Sequence, residues 1–475
     1  MWIWVLAGVW ILGWCCIPQL LLLNKRPTAT LAWLWAILLF PVIGPALYLM
    51  IGSEHIKRGR IKRRQDFRDK ERRAADEGAR DRENPAGMEE LSAEAQQLFQ
   101  SMSAITQLPA VTARSARILR KAQAFYGALQ EDIRKAKDHI LIETYIWRDD
   151  EIGREFLDLL VAAARRGVRV RVMVDEIGSL YLRERHFRPL IEAGGQFSWC
   201  HTLSPLRNRY SFNLRNHRKL QVIDGDIAYV GGMNFGREYA GLDPVDGDWG
   251  DVQIRTEGRV VETFEEIFAE DWFFGSGRDD VRFKPTARGQ AEEPLFVHVL
   301  RGGPDEEDHP MLRVNLELLA RARTRLWIGT GYFVPGEILQ TALQVAAGRG
   351  VDVRLLVSKK SEHPLLVQAG RSYYDALLRQ GVRIYEYEKG IEHSKYLVID
   401  EGWVSVGSCN FDERSMRLNF ELNLLIHGGE INREMAKLFE ATIGEAREID
   451  RETFAGRPYR ERLLESALRP LSPVL

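Results

Sequence analysis

HRKLQVIDGDIAYVGGMN, residues 217–234, and HSKYLVIDEGWVSVGSCN, residues 393–410, are two versions of one pattern. Both follow H-x-K-x4-D-x6-G-[GS]-x-N. The fixed residues are His217, Lys219, Asp224, Gly231 and Asn234 in the first, and His393, Lys395, Asp400, Gly407 and Asn410 in the second. KLQVID and KYLVID read as strands. Asp224-Gly225-Asp226 and Asp400-Glu401-Gly402 supply turns, and IAYVGG and WVSVGS return, so each copy predicts a hairpin. A strand's period of two puts His217 and Lys219 on one face, and His393 and Lys395 likewise. The glycines let backbone approach closely, and each Asn adds a neutral donor. Two copies gather two imidazoles, two ammonium groups and two amides around one cleft. That set suits a tetrahedral anion such as a phosphodiester. It argues against zinc, because an ammonium beside a metal cation is repulsive. Asp224 and Asp400 lie an odd number of residues from the lysines, so they are either turn supports or direct participants.

Working outward, the hairpins close two similar stretches. ILIETYIW (140–147) precedes a helical segment ending AAARRGVRVRVMVD (162–175). LWIGTGYFVP (326–335) precedes one ending AAGRGVDVRLLV (346–357). Each predicts an apolar strand, a helix stopped by a glycine (Gly167, Gly350) and a β-branched strand. Strand–helix–strand order implies parallel pairing in an α/β sheet. The expected architecture is an intrachain pseudo-dimer with repeats at 108–275 and 295–475, joined by a Gly-, Ala- and charge-rich linker at 276–294. Tyr145 and Tyr332 recur at the ends of the matched strands as cleft-lining or core aromatics. His55, His139, His186, His201, His298, His309, His363 and His427 fit no pattern and read as packed or surface residues.

The N-terminal region differs in kind. Residues 1–23 and 27–53 contain no charged residue, with Lys25 and Arg26 between them. About 20 apolar residues cross a hydrocarbon core, so residues 1–53 predict a two-helix transmembrane hairpin. Trp2, Trp4, Trp10, Trp14, Trp33, Trp35 and Tyr48 include candidate interfacial anchors. The next stretch, from Lys57 to Arg73, is strongly basic. This bias predicts a cytoplasmic face and attraction to an anionic membrane surface. Residues 54–107 then read as a basic, charged helical connector.

The 475 residues sum to −1. Residues 1–53 carry +2 and residues 54–80 carry +5, so the remainder carries −8. An acidic body is a poor match to a phosphate-tracking nucleic-acid groove, so no nucleic-acid partner is expected. Four cysteines in this length exclude a disulfide scaffold, and 45% hydrophobic residues exclude disorder as the main state.

The doubled H-x-K-x4-D signature resembles the phospholipase D superfamily. The AWLWAILLFPVIGPALYLMIG segment, GYFVP at 331–335 and DERSMRLNFELN at 412–423 narrow the resemblance to the bacterial cardiolipin synthases. It implies two mixed-sheet α/β/α repeats. It implies a multi-pass protein of the bacterial inner membrane, with the catalytic part on the cytoplasmic side. It also implies a phosphatidyltransferase that makes cardiolipin and glycerol from two phosphatidylglycerol molecules through a phosphohistidine. In that scheme His217 is the nucleophile and His393 the acid/base, although the residues themselves leave that choice open. Lys219, Lys395, Asn234 and Asn410 would hold the phosphate oxygens. Glu421 and Asp251 are candidates to orient a histidine, or ordinary strand-edge carboxylates. Arg414 and Arg417 are candidate headgroup contacts. No metal and no cofactor is implied. The rivals are a membrane-tethered phospholipase D that hydrolyses lipids and, disfavoured by charge, a phosphodiesterase or nuclease of the same fold. Oligomeric state has no sequence signal.

Overall fold

The computed structural model describes residues 14–23, 27–40, 42–49, 85–200, 214–243, 247–281, 293–306 and 308–471. The chain divides into two units, residues 1–80 with 202–214, and residues 81–201 with 215–475.

In the larger unit two sheets follow one plan. A seven-stranded sheet runs Ser115–Arg120, Val252–Glu257, Ile227–Gly231, Leu220–Ile223, His139–Thr144, Arg169–Val174, Gln196–Trp199 from edge to edge. The second sheet repeats that order with Leu295–Gly302, Asn419–His427, Trp403–Gly407, Lys395–Ile399, Arg325–Thr330, Asp352–Ser358 and Arg383–Tyr387. Val111–Ala113 and Ala446–Glu448 extend its edges. In both, the expected strand–helix–strand pair is parallel and the hairpin strands beside it are antiparallel. The fold is therefore mixed α/β in two repeats.

Local chemistry explains the matched elements. Asp150 caps helix Glu151–Arg165 by accepting from the Gly153 N–H at 2.9 Å. Phe156, Leu157, Leu160, Val161 and Ala164 form its buried stripe. Gly167 at φ +90° ends it, and Val168 N–H returns to the Ala163 carbonyl. Helix Gly336–Gly348 ends the same way, with Gly350 at φ +88° and Val351 N–H bonded to Ala346.

Apolar faces of both sheets meet in one shared core. Val222, Val230 and Ile254 from one repeat join Val398, Val406 and Leu424 from the other. Helices Val260–Ser276 and Gly429–Ile443 add Phe264, Phe268, Trp272, Met435 and Phe439 to it. The outer helices pack in separate clusters on the far face of each sheet. Helix Ala93–Thr106, inside the segment expected as a connector, buries Leu98 and Met102 in the second repeat's outer cluster. Most of the basic stretch, 54–84, and residues 282–292 of the expected linker lie outside the described residues.

Among the described residues of the smaller unit the helices are Cys16–Leu22, Pro27–Leu39 and Ile43–Leu47. Cys16, Leu20, Ile37 and Tyr48 pack together, with Trp33 edge-on to Tyr48 at 5.6 Å. A Cβ on Gly44 would meet the Ala36 carbonyl, so only glycine permits this chain approach. Leu31, Trp35, Leu39 and Phe40 face outward. Among the described residues no helix is long and apolar enough to cross a membrane. Residues 1–13, 24–26, 41 and 50–53 of the expected hairpin lie outside the described residues.

Candidate active site

Each motif histidine is set by a short parallel pairing with the opposite repeat. Arg215–Asn216 pairs with Asn419–Phe420, and His217 N–H continues that ladder to the Phe420 carbonyl at 3.0 Å. Gly390–Glu392 pairs with Asp248–Gly250, and His393 N–H continues to the Gly250 carbonyl at 2.7 Å. The residue after each pairing partner is a carboxylate. Glu421 therefore meets His217 Nδ1 at 3.0 Å, and Asp251 meets His393 Nδ1 at 2.8 Å. Both carboxylates are at most 1% exposed. Ser408 Oγ donates to Glu421 at 2.5 Å, and Asn419 Nδ2 at 3.2 Å.

The two imidazoles, Asn234, Asn410, Tyr145 and Tyr332 line one cavity of about 120 Å3. Tyr145 stands edge-on to His217 at 5.0 Å and Tyr332 to His393 at 6.1 Å. Asn234 Oδ1 accepts from the Ile146 N–H at 3.1 Å, which fixes its amide. Lys219 and Lys395 lie buried beneath, each donating from Nζ to the carbonyl of its own motif histidine.

Burial dominates the electrostatics. It lowers His217 to about 4, with Lys219 adding and Glu421 opposing. It lowers His393 to about 3, with Lys395 adding and Asp251 opposing. Lys219 falls to about 7 and Lys395 to about 8 for the same reason, each held up in part by Glu421 and Asp251. Burial alone would raise Glu421, but His217, Lys219 and Ser408 hold it below the usual carboxylate range. The resting site thus offers two neutral imidazoles. A carboxylate at Nδ1 fixes each as the tautomer whose Nε2 is a lone pair. Arriving negative charge would be met by lysines already desolvated. Among the described residues no three His, Cys, Asp or Glu side chains converge as a metal site.

Asp224 and Asp400 are not brought to the cavity. They occupy the hairpin turns at φ +52° and +48°. Asp224 accepts from the N–H groups of Lys137, Asp138 and His139. Asp400 accepts from those of Arg323, Thr324 and Arg325. Their odd offset from the lysines turns them toward the neighbouring loop, so of the two expected roles the geometry carries turn support and not direct participation. Arg417 is also elsewhere, paired with Glu413 at 3.0 Å, whereas Arg414 lines the cavity.

Sequence reasoning missed other members. His363, placed among the unpatterned histidines, lines the cavity with Glu362, Arg215, Asp412 and Asn419. Arg215 had a signal, because strand parity carries one step back from His217. His363 and Glu362 sit on a loop with no periodic signal. Asp175 N–H caps the Thr144 carbonyl, and its carboxylate holds Asn216 N–H at 2.8 Å.

The family described as cardiolipin synthase, phospholipase D-like domain, matches residues 129–272 and 316–443. A cardiolipin synthase of Geobacillus kaustophilus (strain HTA426) is 35% identical over 464 residues, covering 95% of this chain and 90% of that one. A probable cardiolipin synthase of Bacillus subtilis (strain 168) is 32% identical over 466 residues, covering 97% and 91%. Among solved structures, phosphatidylserine synthase from Haemophilus influenzae Rd KW20 superposes with a TM-score of 0.61 at 16% identity. It covers 80% of this chain and all of that one, a likeness of fold.

Proposed function

Because the chain belongs to the cardiolipin synthase family built on phospholipase D-like domains, we propose that it joins two phosphatidylglycerol molecules into cardiolipin and releases glycerol. The observation that carries the mechanism is the pair of imidazoles over one cavity, each held at Nδ1 by the opposite repeat's carboxylate.

His217 Nε2 attacks phosphorus, and the bond to glycerol oxygen breaks while the bond to nitrogen forms. His393 gives its proton to the leaving alkoxide. The bound anion raises the imidazole's proton affinity, so a group that rests neutral carries a proton once substrate is in place. Lys219, Lys395, Asn234 and Asn410 hold the nonbridging oxygens and spread the transition-state charge. In the second half the acceptor hydroxyl loses its proton to His393 and displaces His217, giving the new phosphodiester. The lysines supply positive charge, so this scheme needs no metal.

The substrates reside in a bilayer, and residues 1–53 are read as a membrane hairpin. The outward Leu31, Trp35, Leu39 and Phe40 support that reading. The basic run from Lys57 to Arg73 would then lie against anionic headgroups on the cytoplasmic side of the bacterial inner membrane. Such a site concentrates lipid acceptor over water.

Purified protein in phosphatidylglycerol micelles is expected to form cardiolipin and free glycerol in equal amounts without added metal. Phosphatidic acid as the main product would replace this reading with a hydrolase.

A further inference from the structure

Among the described residues three tyrosines line the catalytic cavity, and their hydroxyls are not alike. Tyr145 bonds to Arg215 and Tyr332 to Ser361. Tyr239 is 2% exposed, and among the described residues its hydroxyl has no hydrogen-bond partner. Glu362 and Tyr332, both in the cavity wall, act on that hydroxyl electrostatically, as do the paired Arg148 and Glu238. The ring is held by Trp249, edge-on at 4.8 Å, and by Ile391. It stands 6.4 Å from the His393 imidazole. A buried hydroxyl without a partner weakens a fold, so packing alone does not account for this one. Burial keeps the phenol protonated, and a phenol both donates and accepts.

The matched position in the other repeat is different. Five residues after the motif asparagine stands Tyr239 in the first repeat and Ser415 in the second, and both line the cavity. Ser415 is satisfied locally, with its N–H on Asp412 Oδ1 at 2.6 Å and its Oγ 3.5 Å from Oδ2. Two amide oxygens in the cavity wall, of Asn410 and Asn419, are also unpartnered among the described residues. An amide oxygen needs a donor, and an ionised phosphodiester has none. A ligand bearing hydroxyl groups supplies both kinds of partner. In the proposed scheme His393 protonates the leaving glycerol and later takes the proton of the acceptor's headgroup hydroxyl. Each of these oxygens sits on a primary carbon of a glycerol, with a secondary hydroxyl on the next carbon. That secondary hydroxyl therefore lies at the His393 end in both half-reactions. Ethanolamine would put an ammonium there, and water would put nothing.

We propose that Tyr239 forms a diol-reading subsite, in which its hydroxyl bonds the secondary hydroxyl of the glycerol whose primary oxygen sits at His393. The placement at His393 rests on the transferase reading. Tyr239 is then a specificity residue that favours glycerol both as leaving group and as acceptor. The phenol keeps its proton throughout, and no bond to phosphorus passes through it. Because Ser415 holds the matched position, the cavity reads the alcohol at one end and leaves the His217 end to the phosphoryl group.

The test is equilibrium binding to the full-length protein in detergent, carrying His217→Ala so that no diester is cleaved. The probes are the methyl phosphodiesters of glycerol, 1,3-propanediol and ethanolamine. The first two differ only in the secondary hydroxyl. The chain with Tyr239 is expected to bind the glycerol diester about tenfold more tightly than the propanediol diester. Tyr239→Phe in the same chain should reduce that preference to about twofold or less. Its Tm should equal or exceed the parent's, because the hydroxyl removed has no partner within the fold. A preference that survives Tyr239→Phe, or is absent from the parent, would overturn the subsite. So would a lowered Tm, or loss of binding to both diesters together. Tightest binding of the ethanolamine diester would replace it with an ammonium site beside Glu362. The transferase reading fails separately. Phosphatidic acid as the main product of the unaltered protein, with a Tyr239-dependent glycerol preference intact, would remove that reading and leave the subsite.

Discussion

Glu421 holds His217 across 204 residues of chain, with Nδ1 to Oε2 at 3.0 Å. Asp251 holds His393 in the reciprocal sense. The carboxylates are repeat equivalents, since Gly231 faces Gln253 and Gly407 faces Asn423 in matched ladders, and each lies two residues before that partner. Neither half contains a complete histidine dyad. Pseudo-dimerisation therefore assembles the site as well as the core.

Removing either carboxylate's charge should disable one imidazole while leaving the cavity in place. Glu421→Gln and Asp251→Asn are each expected to lower kcat by roughly 100-fold or more, as when an oriented acid/base partner is lost. KM for phosphatidylglycerol should change far less. In single-turnover assays both variants should slow glycerol release as well as cardiolipin formation, because each imidazole acts in both halves of the reaction. Near-normal kcat in both would refute the crossed dyads.

The buried lysines set the pH response. Burial depresses both, so their charged forms are lost early, Lys219 at about 7 and Lys395 at about 8. A phosphate-holding ammonium acts only below its pKa. The value of kcat/KM should therefore fall more steeply as pH rises through 7 and 8, while on the acid side His217 stays a free nucleophile down to about 4. A bound phosphodiester stabilises the ammonium form, which moves the alkaline limb of kcat upward relative to that of kcat/KM. Lys219→Arg should weaken the limb, because guanidinium does not titrate there. A flat kcat/KM across the alkaline range would contradict the depressed lysines.

Asp224 and Asp400 should matter for stability. Each carboxylate satisfies three backbone N–H groups of the loop entering the neighbouring strand. Asp224→Ala and Asp400→Ala should each cost about 1–3 kcal/mol, a loss of a few degrees in Tm. The folded fraction should turn over near the wild-type rate. Specific activity normalised to folded protein, measured beside the melt, distinguishes this from a direct catalytic role.

Much of the site was legible because the chemistry is periodic. His217 and Lys219 share a face by strand parity, and the doubled motif announced two such faces around one cleft. The equivalence of Asp251 and Glu421 was hidden by loop length. Asp251 follows Asn234 by seventeen residues and Glu421 follows Asn410 by eleven, so linear spacing disagrees where ladder register agrees. The crossing was also invisible, since neither motif encodes which repeat its partner strand comes from. Glu362 and His363 reach the cavity from a loop whose path depends on tertiary packing. Helix Ala93–Thr106 is hidden in a composition average over 54–107, because the charged stretch before it outweighs its own buried Leu98 and Met102.

Position 232 offers the sharpest test of the crossed geometry. In the second repeat Ser408 fills the equivalent place, and its hydroxyl touches Glu421 at 2.5 Å. In the first, Gly232 lies so close to the shorter Asp251 that an added Cβ would fall 2.2 Å from Oδ1. That is well inside contact distance, and Asp251 has little room to retreat, because Oδ1 also accepts from the Val252 N–H at 2.7 Å and Oδ2 from His393 at 2.8 Å. Gly232→Ala should therefore push the carboxylate off His393 and reproduce the kcat loss of Asp251→Asn. Ser408→Ala removes two hydrogen bonds, the one it donates to Glu421 and the one it accepts from the Leu422 N–H, leaves Asn419 on Glu421, and should cost about 1–3 kcal/mol. Kinetics and melts of both variants give the comparison. A Gly232→Ala protein with wild-type kcat would mean that Asp251 is not the group that positions His393.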